Sequence, residues 1–286
     1  KIFDIEYINN QNIDNYFNVY KNSYDRLNLI AEEYNEDYSL FDSSGNLIIP
    51  EGANSFISSV LNDLTSLSRE SEYYKNVNLI RERQNRLTTN NIIMGSSLSI
   101  NYNNQQSIID ESFFQLRWKL SWTGSLLNTV LKSLNKTKNN SGQYEIAGII
   151  PSQYIKTEID YIRHWQLKKN NVLALRFFSG VAIPFGNANN IPFSRSYFSG
   201  GANDNRAWRA YKLGPGKSNN LNDFNEANFK LSLNFEYRFK LLGKMNGALF
   251  VDAGNIWNVM DNVEDSDSRF DGFRDLKEIA IGSGFG

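Results

Sequence analysis

The chain has no cysteine and a single histidine among its 286 residues. Without cysteine there is no disulfide and no thiolate metal site, and one histidine leaves too few nitrogen ligands for a zinc centre. Only five prolines occur. No uninterrupted apolar run reaches the roughly 18 residues that a membrane helix requires. Nor does the start show the basic segment and short apolar core of a signal peptide. The net charge is −1, so nothing supplies the basic stripe that nucleic acid would need. On composition alone this is a soluble globular chain, with no cofactor and no nucleic-acid partner.

Aromatic side chains are abundant, at 14%, and their arrangement overturns that first impression. From Ala227 to Lys240 the odd positions are Phe229, Leu231, Leu233, Phe235, Tyr237 and Phe239, and the even positions between them are polar or charged. Alternation of this kind places the two sets on opposite faces of a strand. It recurs with Leu116, Trp118, Leu120 and Trp122 opposite Gln115, Arg117, Lys119 and Ser121. It recurs again in 155–167 and 173–183. Eight strands are expected, over 1–8, 88–104, 112–131, 143–168, 171–186, 226–241, 246–258 and 276–286. Several match or exceed the roughly 9–11 residues that cross a bilayer obliquely.

The connections alternate as well. Those near Asn104–Ile109, at 168–171 and at 242–245 are short, whereas 9–87, 132–142, 187–225 and 259–275 are long. Short turns on one side and long loops on the other mark an outer-membrane β-barrel. A soluble barrel or sandwich could also alternate, but it would put its polar face outside and use shorter strands. The expected fold class is therefore all-β, a transmembrane antiparallel barrel. Because the chain opens inside a strand and stops in mid-alternation, it is expected to be about eight strands of a larger barrel.

Segment 9–87 has helical spacing instead. Ile13, Phe17, Tyr20, Tyr24, Leu27 and Tyr34 form one stripe, and Phe56, Val60, Leu61, Leu64 and Leu67 another, with Asn54 and Ser55 as candidate N-caps. Two short helices are expected there, burying their stripes on each other or on the barrel rim, within one long extracellular loop.

The long loop 187–225 holds Ser199–Gly216, which is unusually rich in bulky groups: Arg206, Trp208, Arg209 and Tyr211. Downstream, parity puts Phe250, Asp252 and Gly254 on one face of a strand and Leu249 and Val251 on the other. Leucine and valine suit lipid, so Asp252 is expected inside, together with Glu236 of the preceding strand. If the loop folds into the lumen, Arg206 can bind one or both carboxylates as a planar pair. The alternative is that these are ordinary lumen charges paired with Lys230, Arg238 and Arg176, under a loop that merely covers the surface.

The arrangement resembles the BamA/TamA-type superfamily of outer-membrane assembly and translocation proteins, and looks closest to the TamA-like lipoprotein branch of Bacteroidota. Asn205-Arg206-Ala207-Trp208 followed by Gly214-Pro215 stands where that family has an Arg-Gly-aromatic group and a Gly-Pro. Phe250, Asp252 and Gly254 match its aromatic-x-Asp-x-Gly strand motif, and Glu236 its preceding-strand glutamate. Ala207 departs from the family glycine, which affects local backbone freedom. The likeness is good over 88–286 and loose over 1–87.

The resemblance implies a non-enzymatic, cofactor-free machine in the bacterial outer membrane, with about sixteen strands. The present strands would lie in its second half. Arg206, Trp208, Gly214 and Pro215 would latch the loop in the lumen. It further implies unfolded or exported client proteins, outer-membrane lipids and accessory assembly subunits as partners. Two rival functions are a passive channel or dedicated secretion pore, and a membrane-embedded hydrolase. The second needs a nucleophile and base within reach of each other, and His164 has no recognisable serine motif near it.

Overall fold

The computed structural model describes residues 4–10, 13–133, 138, 142–218, 224–243, 245–261, 263 and 265–286. Residues 1–3 of the first expected strand, Lys244 of an expected turn and the side chain of Ile13 fall outside the described residues. The chain divides into two compact units.

The larger unit is one antiparallel sheet in which sequence order is also spatial order. Its strands are β1 (Asp4–Ile8), β2 (Asn91–Asn103), β3 (Phe114–Thr123), β4 (Tyr154–Lys168), β5 (Asn171–Pro184), β6 (Phe229–Leu242), β7 (Met245–Trp257) and β8 (Ala280–Phe285). Among the described residues β1 and β8 are the sheet's edges, so the barrel is not closed.

Register explains why the alternation survives from strand to strand. Trp118 opposes Ile159, Phe177 opposes Leu233 and Phe235 opposes Val251, so apolar side chains mostly meet apolar neighbours on one face, with exceptions such as Leu120 opposite Thr157 and Leu231 opposite Asn255. That face is exposed, with Leu249 at 52% and Val251 at 45%. The other face is the buried one, and it carries polar groups such as Asp160, Ser232 and Asp252. A water-soluble sheet has the reverse arrangement.

Several boundaries depart from expectation: β2 starts at Asn91 rather than 88 and β6 at Phe229 rather than 226. The strand expected over 112–131 ends at Thr123 and is followed by helix α5 (Ser125–Ser133). Gly124 at φ +84° makes the bend, and Leu126, Leu127, Val130 and Leu131 then follow helical spacing. The strand expected from 143 begins at Tyr154, because Ala147 and Gly148 take positive φ and Pro151 offers no donor to a ladder. The last strand starts at Ala280 after a 3₁₀ turn at Phe273–Glu278. The first short turn extends to Phe113, where β3 begins one residue later.

The smaller unit comprises the described residues of 9–90. Among the described residues it contains four α-helices where two helices were expected: α1 (Tyr16–Val19), α2 (Lys21–Tyr34), α3 (Glu51–Leu61) and α4 (Glu72–Thr88). Phe17, Leu27, Ile30, Phe56, Ile57, Val60, Val77 and Ile80 form its buried core, so the two stripes pack against each other. Helix α4 carries few apolar positions among its charges, which hides it from a periodicity reading. Asn54 and Ser55 lie inside α3 rather than at its start, where Pro50 is the capping position. The Asn54 side chain instead accepts from Gln84 of α4 at 2.9 Å. Leu64 is exposed because α3 has already ended at Leu61.

Candidate functional site

The site is built on the buried polar face by the connection from β5 to β6. Two consecutive glycines at positive φ, Gly200 (+99°) and Gly201 (+105°), let this loop double back on itself. Gly200 passes so close to the Arg209 carbonyl that any side chain would collide with it. The fold-back is tied internally. Gly201 N donates to Trp208 O at 2.8 Å, Gly200 N to the Asp204 carboxylate at 2.8 Å, and Asn205 Nδ2 to Ser199 Oγ at 2.8 Å. Arg206 stands at the tip.

Three groups on β6 and β7 receive it. Asp252, fully buried, accepts from the Arg206 backbone N and Nε at 2.9 Å on one oxygen, and from Nη2 at 2.8 Å on the other. Nη1 reaches Glu236, whose other oxygen accepts from Arg238 at 2.6 Å. The guanidinium carbon lies 3.8 Å from the centre of the Phe250 ring, a cation–π geometry. Asp252 keeps the Arg206 guanidinium above its ordinary pKa, with Glu236 adding to the effect. Asn234 completes the set, donating to Asp252 at 2.9 Å and to the Asp204 carbonyl at 2.8 Å.

Register places these groups together. Asn234 is directly opposite Asp252 and Glu236 directly opposite Phe250, so the guanidinium contacts both rows of one strand pair. Each position of the β7 motif then has a separate physical task. Phe250 supplies the ring under the cation and Asp252 the anion. Gly254 leaves room for Asn205, because a Cβ there would stand 2.7 Å from its Nδ2.

Trp208 and Ala207 lie against β8. A Cβ on Gly282 would meet Ala207 and come within 2.9 Å of the Trp208 ring, and one on Gly284 would meet the Phe250 ring. On β5, Gly180 lies beneath the Tyr197 ring, at 2.6 Å by the same measure. Three inward-facing glycines thus each lie under an aromatic ring. The return arm is held at Gly214 and Pro215. Gly214 adopts φ +77° against Asn255 and Ile256, Gly216 N donates to Ile256 O at 2.7 Å, and Asn255 Nδ2 donates to Gly216 O at 2.8 Å.

Sequence reasoning missed several attachments. Lys230 Nζ donates to the Phe198 carbonyl at 2.7 Å and pairs with Asp204 at 2.8 Å. Arg176 Nη1 reaches the Asn203 carbonyl at 3.0 Å while its other nitrogens hold Asp160. Lys156 donates to the Arg195 carbonyl at 2.8 Å, and Arg195 pairs with Glu6 of β1. Lys230 and Arg176 are therefore committed to the loop and to Asp160 rather than to Glu236. Tyr197, whose phenol is pushed up in pKa by burial, donates to Glu158 at 3.2 Å. Between loop and strands remains a cavity of about 260 Å³, lined in part by His164, Arg176, Arg206, Asn234, Glu236 and Arg238.

A long-stranded antiparallel sheet with an apolar exposed face and a polar face buried under its own loop is the architecture of an outer-membrane β-barrel. The family comparison narrows the class: the Omp85 superfamily domain matches residues 3–286, and the chain belongs to the Omp85 superfamily. Omp85 proteins, the superfamily of BamA and TamA, are outer-membrane proteins of Gram-negative bacteria that mediate assembly or translocation of proteins there. Comparison with curated proteins gives no match.

Proposed function

We propose that this chain is part of a non-enzymatic factor that inserts proteins into the outer membrane or translocates them across it, with Arg206 serving as the latch of its lumen loop. The observation that carries the reading is the seating of one guanidinium on two inward carboxylates, Asp252 and Glu236, from adjacent strands. Such a cluster holds a loop in one place and offers no nucleophile with a base beside it. Membership of the Omp85 superfamily supports the function. The long-loop side, which also carries the helical unit, is then extracellular. The complete barrel has about sixteen strands, its clients are unfolded or exported proteins, and accessory subunits assist it. Assignment to the TamA-like lipoprotein branch of Bacteroidota rests on the resemblance of the Arg206 segment. Periplasmic repeats and a lipobox cysteine upstream in the full-length protein test it.

The function is tested by charge reversal. Asp252→Arg is expected to abolish the heat-modifiable folded band on gels and to deplete client proteins from the outer membrane. Adding Arg206→Glu should restore part of both. Normal assembly and client levels in Asp252→Arg would sink the latch. Client levels that stay unchanged, with only the conductance altered on deleting 199–216, would favour a passive channel or dedicated secretion pore.

A further inference from the structure

Helix α5 has no part in the loop site, yet one of its sides is apolar and exposed. Leu126 is 61% exposed and Val130, one turn on, 51%, whereas Leu131 on another side is buried. The exposed side continues a surface already described. Trp122, the last outward residue of β3, is 56% exposed, and its indole Nε1 donates to Ser125 Oγ at 2.7 Å. The ring of the strand's lipid face is thereby fastened to the first turn of the helix. From Ser125 the same side runs through Leu126, Thr129 and Val130 to Ser133.

Two polar members of that side, Thr129 and Ser133, already have their hydroxyl donors satisfied. Thr129 Oγ1 donates to the Ser125 carbonyl at 2.9 Å and Ser133 Oγ to the Thr129 carbonyl at 3.0 Å. Neither hydroxyl needs water as its acceptor. Another side is anchored to the protein through Asn128 Nδ2 and Gln153 Oε1, at 3.2 Å. Lys132, exposed near the last turn, has a stem long enough to keep its ammonium in the headgroup layer while the helix lies lower. A short amphipathic helix with one apolar side and a tryptophan at its entrance suits the membrane interface.

We infer that α5 is an interfacial helix that docks by its Leu126–Val130 side into the acyl-chain boundary of the outer leaflet. The lipid-facing surface of the barrel thus extends past the end of β3. This rests on the reading of the sheet as a membrane barrel, whose long-loop side is extracellular.

These 286 residues have no cysteine of their own, so with any free cysteine elsewhere in the full-length protein changed to serine the probes are single thiols. Leu126→Cys, Val130→Cys and, as a strand control, Ile155→Cys would each be introduced into the full-length protein. The thiols would carry an environment-sensitive fluorophore, and the protein would be reconstituted in phospholipid vesicles. Emission at 126 and 130 is expected to shift to the blue. It should be quenched by lipids carrying a nitroxide near the headgroup end of the acyl chain, and not by iodide. Quenching by iodide alone would place the helix in water and overturn the inference. Protection from both quenchers would mean that protein covers it, which overturns it equally. If the 155 probe also escapes lipid quenching, the membrane-barrel reading itself fails. If the 155 probe is quenched and the helix probes are not, only the interfacial helix is lost.

Discussion

Arginine at 206 makes contacts that another cation could not. Its planar fork meets both oxygens of Asp252 and one of Glu236 while its face rests on Phe250. A lysine would deliver the same charge to one point. Arg206→Lys is therefore expected to fold but to lose stability by about 1.5–3 kcal/mol, the cost of a charge-assisted hydrogen bond. The readout is a lower urea midpoint for loss of the heat-modifiable band. Asp252→Ala should cost more, about 3–5 kcal/mol, because it strands a partly buried cation without its main partner. Parity left Arg206 as one of two readings for the partner of Asp252 and Glu236, whose place on the inner face was legible in the sequence. The attachments of Lys230, Arg176 and Lys156 were not. Each has a backbone carbonyl of the loop among its acceptors, and a carbonyl's position depends on the path of the chain rather than on residue type.

Among elements, β8 has a character that its sequence shows only after the fold is known. Its inward positions are Ala280, Gly282 and Gly284, and the two glycines form a shallow bed for Ala207, Trp208 and Phe250. Gly282 and Ala207 fit as a pair, with the Ala207 methyl facing the side chain that Gly282 lacks. Gly282→Ala should weaken loop docking, read as faster protease cleavage within 199–216. Ala207→Gly in the same chain should restore protection. Cleavage unchanged by Gly282→Ala, or unrelieved by Ala207→Gly, would show that the two do not share space. The strands themselves were readable because lipid and lumen impose a strict period of two. Helices α4 and α5 were harder to read for opposite reasons. The first has too few apolar residues for its length, and the second has enough to pass for more strand.

At the scale of the whole molecule, the helical unit is a structure with its own core. Phe17, Leu27, Phe56, Ile57, Val60, Val77 and Ile80 close on one another. Meanwhile the strands on either side are already neighbours, with Ile8 opposite Asn91. Replacing 9–90 by a short Asn-Gly turn is thus expected to leave the sheet assembled, with the heat-modifiable band and the 199–216 protease protection unchanged. Loss of either would mean that the sheet depends on the insert.

The loop's attachments also order events in time. Arg195 meets Glu6 across 189 residues, and Arg206 meets Asp252 across 46. Loop closure grows only with the logarithm of length, so the longer closure costs only about 1.3 kcal/mol more than the shorter. Entropy therefore barely ranks the two contacts, and availability does. Glu6 lies on β1 and Asp252 on β7, so Arg195 needs the strands before the loop and Arg206 those after it. Arg206 stays solvated until β7 has paired with β6. Closure of the latch is in that sense a completion signal, given only when the strands after the loop are in place.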